Sequence, residues 1–343
     1  MANASYMVPP QTWMEPDSHY LKAMDSEWYA GLVALQSCLT VSTAQFWSGR
    51  GVSNGHLPIT TGSISSPMGL GSDSSPVSVS MFGVDTYLAD SMQFGLEYLC
   101  RLSPNGSYYI MPSFRGEKSD ATHLGQFFHS EAEIPGGLDD VITVVEEYLR
   151  HLVRDLLAQH RDLLEKFNDG NLGHLDELLR RKSVFERLTF DEAAELLDHD
   201  DRYVATDPES GWRTLRLAGE RELMRQRGEF LWITHWDSRS VPFYQATDQQ
   251  SGRALCADLL FGPGEVIGAG ERHRTGAEVL SALELHGVSP RQYAWYVAMK
   301  ERAPMRTAGF GMGVERFLMW LVRQDDIRDF QIFVRDHGVD VLP

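Results

Sequence analysis

The chain has 343 residues, with 31 Lys and Arg against 48 Asp and Glu, for a formal net charge of −17. Its 43% hydrophobic and 23% charged residues are the balance of an ordinary globular protein able to bury a large core in one or two domains. No run of about 18 apolar residues offers a membrane span, and the surplus of negative charge works against binding a phosphate backbone. Cys38, Cys100 and Cys256 are isolated, which argues against a disulfide framework or a cysteine zinc site and points to a reducing cytoplasm. The opening MANASYMVPP has neither a basic nor an apolar segment of the kind a signal peptide carries.

In chain order, the first twenty residues are Pro-containing and read as an arm. Leu21, Met24, Trp28, Leu32 and Leu35 recur at helical spacing, which predicts a helix within residues 20–48. Residues 50–80 are dense in Gly, Ser and Pro and read as a strand followed by a long loop. A helix is expected around 88–102. Period-two alternation then predicts a hairpin over YYIMPSFRGE and THLGQFFHSEAEI, joined by a loop around 116–121. In this reading Arg115 and Glu117 share one face with His123, Phe127, His129, Glu131 and Glu133. A long amphipathic helix over about 138–165 carries Leu138, Val141, Val145, Leu149, Leu152 and Leu156 in one stripe. Residues 166–230 read as polar and helical with breaks. Strands are expected at 229–234, 241–246 and 254–261, and helices at about 274–287 and 313–323. The fold class is α+β, an antiparallel sheet flanked by helices.

Three clusters carry chemistry. The first is the hairpin face with Arg115. The second is GFGMGVERFLMWL, residues 309–321, where the spacing is GxGxG and Val314 stands where a dinucleotide fingerprint needs glycine. With no early βαβ context, a dinucleotide fold is rejected. Instead a glycine strand, with Gly311 and Gly313, runs into a helix whose first turn carries Arg316. Such a backbone admits a flat ligand closely, and a guanidinium beside it can stack on a ring or grip phosphate oxygens. The third cluster is ADLLFGPGEVIGAGER, residues 257–272. A hairpin there would bring Asp258 and Glu265 together as hard oxygen ligands for Mg²⁺ shared with substrate phosphates. Arg272 ends the segment and could hold a carboxylate.

Together these segments resemble the catalytic domain of a class II aminoacyl-tRNA synthetase of the aspartate/asparagine subgroup. FRGE with THLGQF and SEAEI resembles motif 2, and GFGMGVERFLMWLVRQDDIRDFQIFVR resembles motif 3. GEVIGAGER and the SMQ of LADSMQFGLEYL resemble two further subgroup signatures, and Pro58 in HLPIT is a weak match to motif 1. The resemblance implies ATP and Mg²⁺ as cofactors and a homodimer. It implies that Arg115 contacts the α-phosphate and the activated carboxylate, that Glu117 meets the adenine edge, and that His123 reaches the outer phosphates. Phe127 would stack on adenine, with Arg316 on its other face over Gly311 and Gly313, making Arg115 and Arg316 the catalytic pair. Asp258 and Glu265 would hold Mg²⁺. Gln93, Arg272 and Glu133 form the expected amino-acid-binding set. Residues 1–50 are expected to be an N-terminal arm and helix, and 51–343 the catalytic domain with a helical insertion at about 160–228.

Other features set this chain apart from the subgroup's pattern. About 50 residues precede the catalytic segment and read as helical, so the subgroup's anticodon-reading OB-fold is not expected in them. Lys22, Lys118, Lys166, Lys182 and Lys300 are the only lysines. The flipping loop reads PMGLGSDSSP, with Asp73 as its one acid. Leu96 stands where aspartate-specific enzymes carry lysine, and Arg306-Thr307 where a Pro-His precedes motif 3. These departures favour an amide ligase like the asparagine synthetase related to asparaginyl-tRNA synthetase. It would activate aspartate or a close analogue and pass it to ammonia or an amine, with nucleic acid not expected as a partner. Transfer to a carrier protein or tRNA is the first alternative. A non-catalytic paralogue that binds an amino acid or ATP is the second.

Overall fold

A computed structural model describes residues 6–66, 74–181, 184–339 and 342 of the chain. Asp73 and Lys182 lie outside the described residues. The arm forms a short 3₁₀ turn and a brief helix α1 (His19–Met24), and α2 follows at Glu27–Ser48. The single helix read over 20–48 is therefore broken at Asp25-Ser26. Short strands β1 (Ser53–Asn54) and β2 (Thr60–Thr61) lead to the hairpin of β3 (Val77–Met81) and β4 (Val84–Leu88), and then to α3 (Gln93–Cys100). β5 (Ser107–Phe114) and β6 (Gln126–Pro135) form the predicted hairpin. Its connection is longer than expected, spanning residues 115–125. Arg115, Glu117 and His123 therefore stand on a loop rather than on strands, and Phe128, which alternation puts on the face opposite Phe127, is 41% exposed.

Helix α4 (Leu138–Phe167) buries Val141, Val145, Leu149, Leu152 and Leu156 completely against α2 and the sheet. Period 3.6 over so many large aliphatics is what drives a helix this long onto a core. The segment after it holds α5 (Gly173–Arg180), β7 (Glu186–Thr189), α6 (Phe190–Leu196), β8 (Val204–Thr206), β9 (Arg213–Leu215) and α7 (Leu217–Arg227). A segment read as helical thus contributes three short strands, because its β-forming stretches are only three or four residues long. β10 (Leu231–Thr234), β11 (Cys256–Phe261) and β12 (Gly264–Glu271) follow, then α8 (Gly276–Leu285), α9 (Ala294–Arg302), β13 (Thr307–Gly313) and α10 (Val314–Val322). The strand expected at 241–246 is absent. That stretch is loop, tied to the sheet by a bridge between Gln245 and Arg272.

The main sheet runs β1-β5-β6-β13-β12-β11-β10-β7, parallel only at its two outer pairs and antiparallel between. Motif-bearing β6, β13, β12 and β11 are therefore adjacent, although residues 126 and 271 are far apart in sequence. Glycine permits this closeness at one crossing in particular. A Cβ on Gly309 would lie 2.6 Å from the Ala132 carbonyl oxygen and 1.9 Å from Glu133 Oε2, so only glycine lets β13 pass over the Glu133 side chain. No helix among the described residues is long and apolar enough to cross a membrane.

Candidate active site

One cleft of about 380 Å³ opens on the face of β6, β13, β12 and β11. Gln93, Arg115, Glu117, His123, Phe127, Asp258, Glu265, Arg272, Gly311, Gly313 and Arg316 all line it. At one end the Arg115 guanidinium stands 5.5 Å from the centre of the Phe127 ring. Its Nε is buried and has no hydrogen-bond partner. A buried guanidinium N–H without a partner is costly, and it belongs to a cation whose side chain lines the cleft. Arg316 is held from two sides: Nη1 donates to the Glu265 carbonyl at 2.7 Å and Nη2 to the Thr122 carbonyl at 3.4 Å. Arg316 therefore ties the 115–125 loop to β12 across the cleft.

Glu117 already has work within the protein. Its Oε2 accepts from the Ser75 backbone N–H at 2.9 Å, and the Gly116 N–H donates to the Ser75 carbonyl at 2.8 Å. It thereby fastens the segment that follows the Gly/Ser loop. His123 is half exposed at the cleft mouth and is turned by Asp120, 3.1 Å away.

Asp258 and Glu265 face one another across the β11–β12 hairpin above Gly268. A Cβ there would sit 3.2 Å from Glu265 Oε1 and 3.6 Å from Asp258 Oδ1. Burial, and then the charges of Glu265 and Glu220, push the Asp258 carboxyl well above the usual carboxylate range. Such a pair is what a divalent cation relieves. Among the described residues no three His, Cys, Asp or Glu side chains already converge as a metal site. The donor set is two hard carboxylates with an open side, which fits Mg²⁺ completed by phosphate oxygens and water. Glu220, on α7, stands behind this pair: its Oε2 accepts from the Glu265 N–H at 2.9 Å.

The other end of the cleft is lined by polar groups. Gln93 Nε2 is buried without a hydrogen-bond partner. Glu131 is buried and accepts from Ser91 Oγ at 2.7 Å and from the Tyr109 hydroxyl, with His129 Nδ1 at 3.0 Å. Asp90 accepts from the backbone and hydroxyl of Ser65 and so staples the loop base. Arg272 is 4% exposed and ion-paired to Glu133 at 3.2 Å. Its Nη1 donates to Gln245 Oε1 at 3.0 Å, and Tyr244 packs 5.2 Å from its guanidinium. Glu133 itself is fully buried and does not line the cleft. It is Arg272's counter-ion, not a free pocket carboxylate, because Gly309 leaves the space in which its side chain turns away. Burial pushes its carboxyl up to about 7 against the pull of Arg272. Lys300 and Glu97 form a second fully buried pair nearby, and Lys300 Nζ also donates to the His273 carbonyl.

The family model for tRNA synthetases class II (D, K and N) matches residues 14–337. The chain belongs to this family. Among its curated relatives, a probable cytoplasmic asparagine–tRNA ligase of Encephalitozoon cuniculi is 31% identical over 263 residues, covering 74% of this chain and 57% of that protein. The asparagine–tRNA ligase of Koribacter versatilis is 26% identical over 316 residues, covering 90% of this chain and 69% of its own length. The class II core thus spans little more than half to about two-thirds of these relatives. Its fold is that of the asparaginyl-tRNA synthetase from Pyrococcus horikoshii solved with asparaginyl-adenylate, with a TM-score of 0.81 at 24% identity over 91% of this chain and 70% of that one.

Within this synthetase core, motif spacing pointed to the ATP-side residues. Tyr244, Gln245 and Asp90 carry no motif of their own, whereas Ser91 opens the SMQ signature. The aromatic-rich stretch THWDSRSVPFY, residues 234–244, supplies Ser240, Val241, Pro242 and Tyr244 to the wall.

Proposed function

We propose that this chain activates the α-carboxylate of an amino acid with ATP, giving an aminoacyl-adenylate and pyrophosphate. One observation carries the reading: Arg115, Phe127, Arg316, Asp258 and Glu265 line a single cleft in which Arg115 Nε lacks a partner. The substrate carboxylate oxygen attacks the α-phosphorus as the bond to the pyrophosphate oxygen breaks. Negative charge grows on the phosphoryl oxygens, and Arg115 is fixed where it can meet that charge without reorganising. Phe127 and Arg316 would hold the adenine between them while His123 reaches the outer phosphates. Mg²⁺ on Asp258 and Glu265 would draw charge from the phosphate oxygens. No side chain need act as nucleophile, so the protein's contribution is position and field.

The amino-acid end favours a neutral amide over a carboxylate. Arg272 is already balanced by Glu133, Glu97 beside that pair is taken up by Lys300, and Glu131 close by adds a negative charge held by Ser91, Tyr109 and His129. An aspartate side chain would bring a further buried negative charge to this end, whereas an asparagine amide can accept from Arg272 without one. This replaces aspartate as the expected substrate and agrees with relatives named as asparagine–tRNA ligases. Those names also favour a tRNA acceptor over ammonia. Transfer to ammonia or an amine stays as a second reading on the strength of the net charge of −17.

The unit is taken as residues 1–50, an arm and helix, with the catalytic domain at 51–343 and an insertion at about 160–228. Three free, buried cysteines suit a reducing cytoplasm. A homodimer is supported by α2, which carries no charged residue after Glu27 while exposing Val33 and Val41.

The test is pyrophosphate–ATP exchange with a panel of amino acids, followed by product analysis with ammonium and with tRNA. Asparagine-dependent exchange is expected, and Arg115→Ala or Arg316→Ala should lower it by about 10²-fold or more with the thermal midpoint kept. Release of ADP and orthophosphate, or no exchange with any amino acid, sinks the proposal.

A further inference from the structure

Arg272 faces the amino-acid end, yet part of the space beside it is filled from a loop outside every motif. Gln245 lies between the 3₁₀ turn at Ser238–Ser240 and β11, and its backbone bridges to Arg272. Its carboxamide lies flat in the room left by a missing side chain. A Cβ on Gly270 would be 1.9 Å from Gln245 Oε1, 2.7 Å from Cδ and 3.0 Å from Nε2. The orientation of the amide follows from chemistry, since Arg272 can only donate and Gln245 Oε1 is the atom 3.0 Å from Nη1.

The consequences are steric and polar together. Arg272 spends Nε and Nη2 on Glu133 and one Nη1 hydrogen on Gln245. Two of its five N–H donors remain for a ligand. The carboxamide beside it fills the space over Gly270 next to those two donors.

We propose that Gln245 is a specificity-determining residue that sets the length of side chain the cleft accepts. The proposal rests on the adenylation reading above. Gln245 acts as a wall: a four-carbon amide reaches the two free donors of Arg272, and a five-carbon amide collides with the carboxamide lying over Gly270. Removing the wall takes away a methylene and a carboxamide, more than the room the added methylene needs. Discrimination at that level by a pocket wall is typically about 10- to 200-fold in rate.

The experiment compares asparagine with glutamine as substrates of pyrophosphate exchange for wild type, Gln245→Ala and Gln245→Met. Calorimetric binding of the two amino acids is measured in parallel, so that the comparison survives if exchange itself is absent. The preference for asparagine should fall tenfold or more in Gln245→Ala, with the KM for ATP unchanged. Gln245→Met keeps the bulk but loses the acceptor, so it should retain the preference. An unchanged ratio in Gln245→Ala overturns the proposal. Equal loss in both variants also overturns it, because the hydrogen bond to Arg272 and not the volume would then set selectivity. Absence of exchange in wild type with measurable binding counts against the adenylation reading alone.

Discussion

Glu265 has both neighbouring peptide groups held, and by residues from opposite sides of the molecule. Glu220 accepts its N–H at 2.9 Å and Arg316 donates to its carbonyl at 2.7 Å. Its carboxylate is aimed at Asp258 by backbone restraint, whatever the loop around it does. With Mg²⁺ on this pair as proposed, loss of Glu220 should act through the metal. Glu220→Ala is expected to raise the Mg²⁺ concentration for half-maximal exchange several-fold, while Glu220→Gln, whose amide oxygen still accepts the N–H, restores it. A magnesium titration at saturating ATP checks this, and equal curves for all three proteins would refute the restraint. Residues such as these divide sharply in what sequence reveals. Phe127, Arg316, Asp258 and Glu265 were legible because alternation and glycine spacing placed them. Gln245 and the Ser75 contact of Glu117 were not, since each partner lies more than 20 residues away with no periodicity linking the two.

Among the elements, the clearest sequence signal was the α4 stripe, since five fully buried aliphatics at one period leave no rival reading. Helix α9 left no such signal. Its buried side chains include Tyr296, Val297 and Lys300, and a lysine on the inner face defeats an apolar pattern. It folds inward because Glu97 on α3 is there to neutralise that lysine, an arrangement that only the tertiary structure supplies. The 115–125 loop was misjudged for a related reason. Alternation continues through Arg115 and Glu117, although the ladder ends at Phe114 and Gln126. Helix α2 has an exposed face without charge, and a dimer interface there would be sensitive to one. Val33→Lys and Val41→Lys are each expected to shift the protein towards monomer in light scattering with helical content retained. A mass unaffected by both changes would rule out α2 as the contact.

On the scale of the molecule, the N-terminal arm and the segment 327–336 meet behind the 115–125 loop. Trp13 Nε1 donates to Asp329 Oδ1 at 2.7 Å, Trp28 Nε1 donates to the Asp329 carbonyl at 2.9 Å, and His19 binds the Ile332 carbonyl at 2.6 Å. From the same C-terminal segment, Ile327 N–H donates to Ala121 and Asp336 accepts from Ser119. Burial raises the Asp329 carboxyl from 3.8 to about 6, so its folded form holds a proton more tightly than its unfolded form. The stability from this group is thus fully present below about pH 4 and is lost as pH rises through about 6. Asp329→Asn keeps an acceptor for Trp13 without the charge. It should flatten the fall in thermal midpoint across that window, whereas a curve parallel to wild type would show that Asp329 does not contribute.

The meeting of these two segments also imposes an order in time on biosynthesis. Strands and α4 can pack as they leave the ribosome, N-terminal parts first. The loop bearing Arg115 gains its backing at Ala121 and Ser119 only after residues 327–336 have emerged. A chain still being made, or one cut short before Ile327, would have the strands of its sheet but lack both the end of the motif 3 segment and the backing of the 115–125 loop.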